Sequence, residues 1–284
     1  MKNKKVLLVI IIIILLVITS LVDSNMRIVI TEYELHYENL PGSFEGFRIA
    51  VLADIHDTEF GMNNERLISK VRDSKPDIIT IVGDLLNAYE NKRPLEDQLL
   101  RVEELIIGFH TIAPIYFVTG NHEMSPRIGG PDELLSILNE YSVHVLRNEY
   151  KYIEFENNFF VLGGVDGKTG SVAQREAELF IKKMAESEDK SFIVLLEHRN
   201  QNIKLYNKFN IDLILSGHSH GGVIRLPFTD GIIGPDRDWF PTFTSGIYTA
   251  GETNMLVSRG LGNPSSWPRF LNNPQIAVAI LRSA

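Results

Sequence analysis

Short, nearly continuous apolar runs recur along the chain. They are residues 48–53 (RIAVLA), 77–82 (DIITIV), 114–119 (PIYFVT), 159–165 (FFVLGGV), 192–196 (FIVLL) and 211–216 (IDLILS), with 255–258 (MLVS) and 276–281 (IAVAIL) near the end. Each has the length of a strand and too few polar positions for a half-exposed one. Between them, apolar residues fall at helical spacing. Leu67, Ile68 and Val71 share one face, as do Leu95, Leu99, Val102, Leu105, Ile106 and Phe109. Leu134, Leu135 and Leu138 follow Pro131 and Asp132, a helix start. Apolar strands alternating with amphipathic helices predict an α/β fold whose central strands are buried on both faces.

A different pattern stands at the beginning. Residues 6–22 read VLLVIIIIILLVITSLV, with no charge and only Thr19 and Ser20 polar, behind Lys2, Lys4 and Lys5. An apolar run of about 17 to 25 residues spans a bilayer as a helix, and the lysines predict a cytoplasmic start with the rest of the chain outside. A cleaved signal peptide is the competing reading. The run is longer than the usual apolar region of such signals and ends without an A-x-A site. The expectation is a membrane anchor over residues 1–24 and one extracytoplasmic domain over residues 25–284.

Composition narrows the chemistry. Of 284 residues, 44 % are hydrophobic and 23 % charged, which excludes a disordered chain. The absence of cysteine excludes a disulfide scaffold, a thiolate metal site, a cysteine nucleophile and a lipoprotein anchor. The formal net charge is −8; the first 24 residues contribute three lysines against Asp23, so the remainder stands at −10. Such a domain lacks the basic surface of a nucleic-acid binder, and no nucleic-acid partner is expected.

The candidate chemistry sits where the apolar runs end. RIAVLA runs into Asp54-Ile55-His56, DIITIV into Gly83-Asp84-Leu85-Leu86-Asn87, and PIYFVT into Gly120-Asn121-His122-Glu123. FIVLL runs into Glu197-His198, and IDLILS into Gly217-His218-Ser219-His220-Gly221-Gly222. Ligands in open α/β sheets bind beyond the carboxyl ends of the strands. Residues two apart on a strand face one side, so Asp54 with His56, and His218 with His220, are expected to reach one small region each. Carboxylate, imidazole and amide oxygens together suit Mn, Fe, Zn or a similar divalent ion. Taken singly, an Asp-x-His is usually a strand-end pair at the surface and a Gly-Asp is usually a turn. The ordered conjunction decides: five of the eight histidines fall in these motifs. His36, His110 and His144 have no such context and read as structural.

This ordered series resembles the calcineurin-like metallophosphoesterase superfamily. The opening ENLPGSFEGFRIAVLADIHD and the closing VSRGLGNPSSWPRFLNNPQIAVAIL look like its membrane-associated bacterial branch, which includes phosphodiesterases and hydrolases of UDP-diacylglucosamine. The resemblance implies a four-layer α-β-β-α sandwich with two divalent metals, bound by Asp54, His56 and His220 on one side and by Asn121, His198 and His218 on the other. It further implies that Asp84 bridges both ions, that a hydroxide held between them attacks phosphorus, and that His122 is the general acid. Two positions depart from the pattern: Asn87, where an acidic residue is common, and EHRNQ, where His-Asn-Pro is frequent. Asp57, Glu123 and Glu197 are adjacent candidates for orienting the histidines. The expected activity is hydrolysis of a phosphodiester or related ester, with a monoesterase or a non-catalytic membrane-anchored binding module as alternatives.

Substrate-binding residues are not assigned by the sequence. Residues 124–130 (MSPRIGG) and 226–253 could shape a pocket. The aromatic residues of the second stretch, Phe228, Trp239, Phe240 and Phe243, read either as an ordinary loop with buried rings or as an apolar rim for a lipid-linked phosphate ester. Arg127 reads as a solvent-exposed side chain or a phosphate contact.

Overall fold

The computed structural model of the protein describes residues 2–89, 93–188, 191–234, 238–263 and 267–284. The side chain of Lys2, residues 235–237 of the long stretch and residues 264–266 of the closing motif lie outside the description. In chain order the elements are α1 (Lys2–Met26), β1 (Val29–Tyr37), β2 (Arg48–Leu52), α2 (Glu65–Asp73), β3 (Ile78–Val82), α3 (Leu95–His110), β4 (Ile115–Val118), α4 (Asp132–Glu140) and β5 (His144–Val145). They continue with β6 (Glu149–Phe155), β7 (Asn158–Gly164), α5 (Ser171–Ser187), β8 (Ile193–Leu196), α6 (Ile203–Tyr206), β9 (Leu213–Ser216), β10 (Gly246–Ala250), β11 (Thr253–Val257) and β12 (Gln275–Ser283).

Two six-stranded sheets result, ordered β1-β12-β2-β3-β4-β5 and β10-β11-β9-β8-β7-β6. Strands β2, β3, β4 and β5 run parallel in the first, and β7, β8, β9 and β11 in the second. Within these sheets, β12 pairs antiparallel with β2, β6 with β7, and β10 with β11. Because successive side chains point to opposite faces, each central strand feeds two cores. Ile49 and Val51 join Leu162, Val194 and Leu215 between the sheets. Ala50, Leu52, Ile79 and Ile81 instead pack under Leu67, Val71, Val102 and Phe109 of α2 and α3. On the far side, Ile193, Leu195 and Ile214 pack against Ala177, Ile181 and Met184 of α5. The layers are therefore helix, sheet, sheet, helix. All the carboxyl ends of the parallel strands that carried motifs come to one edge.

α1 stands apart from these cores. Residues 6–18 are exposed along their whole length, and the helix is long and apolar enough to cross a membrane over Lys4–Met26. An unpacked apolar surface of this size is costly in water.

Candidate metal centre

The motif residues lie past the strand ends rather than on them. β2 stops at Leu52 and β9 at Ser216, so the two-residue strand period does not bring Asp54 to His56 or His218 to His220. Left-handed backbone does. Asp54 (φ 54°), His56 (48°), Asp84 (55°), His218 (70°) and His220 (48°) all occupy the region that non-glycine residues avoid. Each such residue costs on the order of 1 kcal/mol or more, and they cluster where function demands them. Cross-loop hydrogen bonds hold the conformation: Asp54 N–H donates to Gly83 O (3.1 Å), His56 N–H to Asp84 O (3.0 Å) and Asp57 N–H to Leu85 O (3.0 Å). Glycine is required where the walls close. A Cβ on Gly120 would meet Asp84 Oδ1 at 2.2 Å, and one on Gly83 would meet His198 Nδ1 at 2.6 Å.

The buried side chains meet in overlapping groups: Asp54, His56 and His220; His56, Asp84 and His122; and Asp84, His198 and His218. His56 Nε2 stands 3.3 Å from His220 Nε2 and 3.8 Å from Asp54 Oδ1, and His220 Nε2 lies 3.5 Å from Asp54 Oδ1. Asp84 Oδ2 faces His56 Nε2 at 3.6 Å and His198 Nε2 at 3.2 Å, so one carboxylate oxygen looks toward both outer groups. Donors sharing one ion at ordinary bond lengths stand about 3 to 3.5 Å apart. Asn121 is half-buried, and its buried Oδ1 lacks a hydrogen-bond partner, an orphaned acceptor of the kind a divalent cation takes.

Burial, the largest influence, holds the rings of His56, His122 and His220 below the ordinary histidine value, so they present neutral imidazoles. Asp84 and His198 settle oppositely. Burial works to raise the Asp84 carboxyl, but His198, His56 and His122 outweigh it and hold it well below the usual range. Burial likewise works against a charged His198, but Asp84 and Asp54 push that ring up to about 9. Burial and the neighbouring Asp84 carry Asp54 up to about 7, against the pull of His198. The pocket thus sets two carboxylates among imidazoles, a donor set that suits a divalent cation.

His122 is fixed differently from the others. Ala88 N–H donates to its Nδ1 (2.9 Å), so the ring proton resides on Nε2, 4.0 Å from Asp84 Oδ2. A protonated Nε2 cannot bind a metal. His198 shows the reverse arrangement, with Nδ1 donating to Val82 O (2.8 Å) and Nε2 left for the centre. The acidic neighbours of the motifs act elsewhere. Glu123 accepts from the N–H groups of Asp84, Leu86 and Gly120 at 2.9, 2.9 and 2.7 Å. Asp57 pairs with Arg93 (3.1 Å) and Arg101 (3.6 Å), and Glu197 accepts from Asn202 (2.7 Å) and the Tyr206 hydroxyl (2.8 Å). Asn87 is a loop brace, its N–H donating to Gln98 Oε1 (2.8 Å). In the EHRNQ segment, Arg199 Nη1 approaches His218 Nε2 at 3.3 Å and Asn200 ties the loop to Phe243 O (2.7 Å). His36 and His110 are exposed, and His144 packs on Tyr116.

Two supporting residues carry no sequence signal. Arg269 is 1 % exposed and donates only to carbonyls in its described bonds: Gly262 (2.6 Å), Arg259 (2.9 Å) and His220 (3.4 Å). Burial pulls its guanidinium down to about 10 while Asp54 holds it up. Asn272 Nδ2 donates to the same His220 carbonyl (2.7 Å). Around the mouth, Tyr89 packs edge-on against His122 and lines a cleft with Arg93 and Arg127. Phe243 is partly buried against Tyr248, whereas Phe228, Trp239 and Phe240 are exposed.

The sequence profile of calcineurin-like phosphoesterases matches residues 47–222, the span holding every candidate ligand. The chain belongs to this family. Among curated proteins it is similar to the metallophosphoesterase YkuE of Bacillus subtilis, with 27 % identity over 263 residues that cover 90 % of this chain and 86 % of that one. It is also similar to a zebrafish (Danio rerio) transmembrane protein with a metallophosphoesterase domain, at 26 % identity, covering 94 % of this chain and 60 % of that one. The solved structure of the protein TT1561 from Thermus thermophilus superposes with a TM-score of 0.50 at 14 % identity, covering 77 % and 90 % of the two chains, a likeness of fold. The chain is accordingly a metallophosphoesterase with residues placed to bind divalent metal.

Proposed function

We propose that this phosphoesterase works with a pair of divalent ions, Mn, Fe or Zn by donor type. Asp54, His56 and His220 would hold one, Asn121, His198 and His218 the other, and Asp84 both. The observation that carries this reading is Asp84 Oδ2, poised between His56 Nε2 (3.6 Å) and His198 Nε2 (3.2 Å). The chemistry supplied by such a pair when bound is polarisation of the phosphoryl group and generation of a nucleophilic hydroxide from water at neutral pH.

The protein's own groups do the rest. Asp84 Oδ1 accepts from His122 N–H (2.9 Å), which fixes the bridging carboxylate and the adjacent Asn121–His122 segment together. His122 meets the substrate as a neutral ring whose Nε2–H donates a hydrogen bond to the leaving oxygen as charge develops there. Full proton transfer needs an imidazolium, which both burial and the Ala88 N–H oppose. This refines the general-acid role implied by the family. Phosphodiester cleavage is preferred to monoester cleavage by family resemblance, and the exposed Phe228, Trp239 and Phe240 favour an ester at a membrane surface, lipid-linked in its sharpest form. α1 anchors the domain outside the cell membrane in a single pass, with Lys4 and Lys5 on the cytoplasmic side.

The test is hydrolysis by the full chain in detergent, stripped of metal by chelation, of aryl phosphodiesters and monoesters with Mn, Zn, Fe or Mg returned singly. Activity should return with Mn or a similar ion and be absent in Asp84→Ala. Turnover by that variant equal to the parent would sink the reading.

A further inference from the structure

α1 enters the domain without a linker, and its last turn is bonded to the 269–273 loop and, through the Met26 carbonyl, to Arg66. Asn25 Nδ2 donates to Arg269 O (2.8 Å) while Arg269 N–H donates to Asn25 Oδ1 (3.1 Å). Asn273 Nδ2 donates to Asp23 O (2.8 Å) and to its carboxylate (3.0 Å). Asp23 is the first charge after the apolar run. Asn25 lies about 3 Å further along the helix axis, inside a headgroup layer roughly 5 to 7 Å thick on each side.

A small ribbon of backbone pairings continues from that loop. Arg225 N–H donates to Phe270 O (3.0 Å), Ile232 N–H to Ile224 O (2.8 Å) and Phe240 N–H to Ile232 O (2.8 Å). These steps place Phe240 three strand spacings, about 14 Å, from Phe270. The ribbon and its loop present large apolar side chains to the outside: Leu226, Phe228, Trp239 (69 % exposed), Phe240, Trp267 (59 %) and Leu271. Exposed apolar patches mark interaction surfaces, and tryptophan with phenylalanine beside a helix exit suits the membrane interface.

We propose that this ribbon and the Trp267–Leu271 loop rest in the headgroup layer of the membrane that holds α1. The occupant is the bilayer itself, committed by the continuity of the patch with the helix exit. The inference rests on the reading of α1 as an anchor. Its consequence is positional. The ribbon starts at Val223, immediately after His220, Gly221 and Gly222, so the metal centre opens beside the membrane surface.

The chain contains two tryptophans, Trp239 and Trp267, and both lie on this face. The experiment is intrinsic fluorescence of the full chain reconstituted in phosphatidylcholine vesicles, plain or nitroxide-labelled near the headgroup or near the acyl-chain end. Trp239→Phe and Trp267→Phe separate the two emitters. Expected is loss of most of the emission from each tryptophan with headgroup-proximal nitroxide, less loss with the deeper label, and protection from aqueous iodide. Emission from either tryptophan that is quenched by iodide and untouched by nitroxide overturns the proposal. Retention in vesicles after alkaline carbonate washing reports the anchor separately. A retained chain with water-exposed tryptophans overturns this inference alone, whereas a released chain overturns the anchor reading and this inference with it.

Discussion

At His122 the direction of one hydrogen bond decides a chemical role. Ala88 N–H occupies Nδ1, so the ring proton is on Nε2, and under the proposed function that is the proton a substrate meets. His122→Ala should lower kcat by about 10²- to 10⁴-fold for alkyl leaving groups, and less for nitrophenyl esters, whose oxygens need little help. Metal content should be unchanged, because the ring is not a ligand. The ratio of parent to variant rates should be flat above the ordinary histidine range, from about pH 7 upward, since burial lowers the ring and a neutral donor does not titrate there. A ratio that falls with rising pH would instead assign an imidazolium acid. Glu197 offers a second residue-scale prediction. Burial pushes its carboxyl up to about 7, against its bonds to Asn202 and Tyr206. A raised carboxyl binds its proton more tightly folded than unfolded, so stability is lost as pH rises from about 4.5 toward 7. Glu197→Gln should remove that loss and raise stability at pH 8 by on the order of 2 kcal/mol, read as a higher Tm whose pH slope is flatter than the parent's.

Between elements, the loops after β3 and β4 behave as one unit because Glu123 accepts N–H groups from both. Glu123→Gln replaces one acceptor oxygen with a donor that must face an N–H. It should cost about 1 to 3 kcal/mol and weaken metal binding through Asp84, seen as a lower denaturation midpoint together with a raised metal Kd. An unchanged Kd would separate the brace from the centre. The central strands and α2, α3 and α4 were readable because burial on both faces, or on one helical stripe, leaves an unbroken apolar pattern. The helix α5 gives no clear stripe in the sequence although Ala177, Ile181 and Met184 mark its buried face, since Glu and Lys crowd between them. Edge strands β6 and β10 alternate weakly and gave no run. The candidate ligands are legible as strand-end motifs fenced by glycine. The way they converge is not, because left-handed backbone at Asp54, His56 and His220 has no residue-type signature. Arg269 and Asn272 were invisible for a related reason: each acts on the His220 carbonyl from a loop about fifty residues away.

For the whole molecule, the charge of −8 divides into a basic first segment, residues 1–24, at +2 and the remainder at −10. Part of that acidity is inward: Asp54 and Asp84 are fully buried among imidazoles. The four-layer fold brings carboxyl ends of both sheets to one edge, where Asp54, His56, Asp84 and Asn121 follow strands of the first sheet and His198, His218 and His220 follow strands of the second. Residues of both sheets therefore meet in the group of Asp54, His56 and His220 and in the group of Asp84, His198 and His218. The central claim is that this edge holds two ions bridged by Asp84. The most direct test is electron paramagnetic resonance of the stripped full chain titrated with Mn(II). The account predicts two ions per chain with an exchange-coupled signal, lost in Asp84→Ala. Saturation at one ion per chain, with only the uncoupled spectrum of isolated Mn(II), would contradict it.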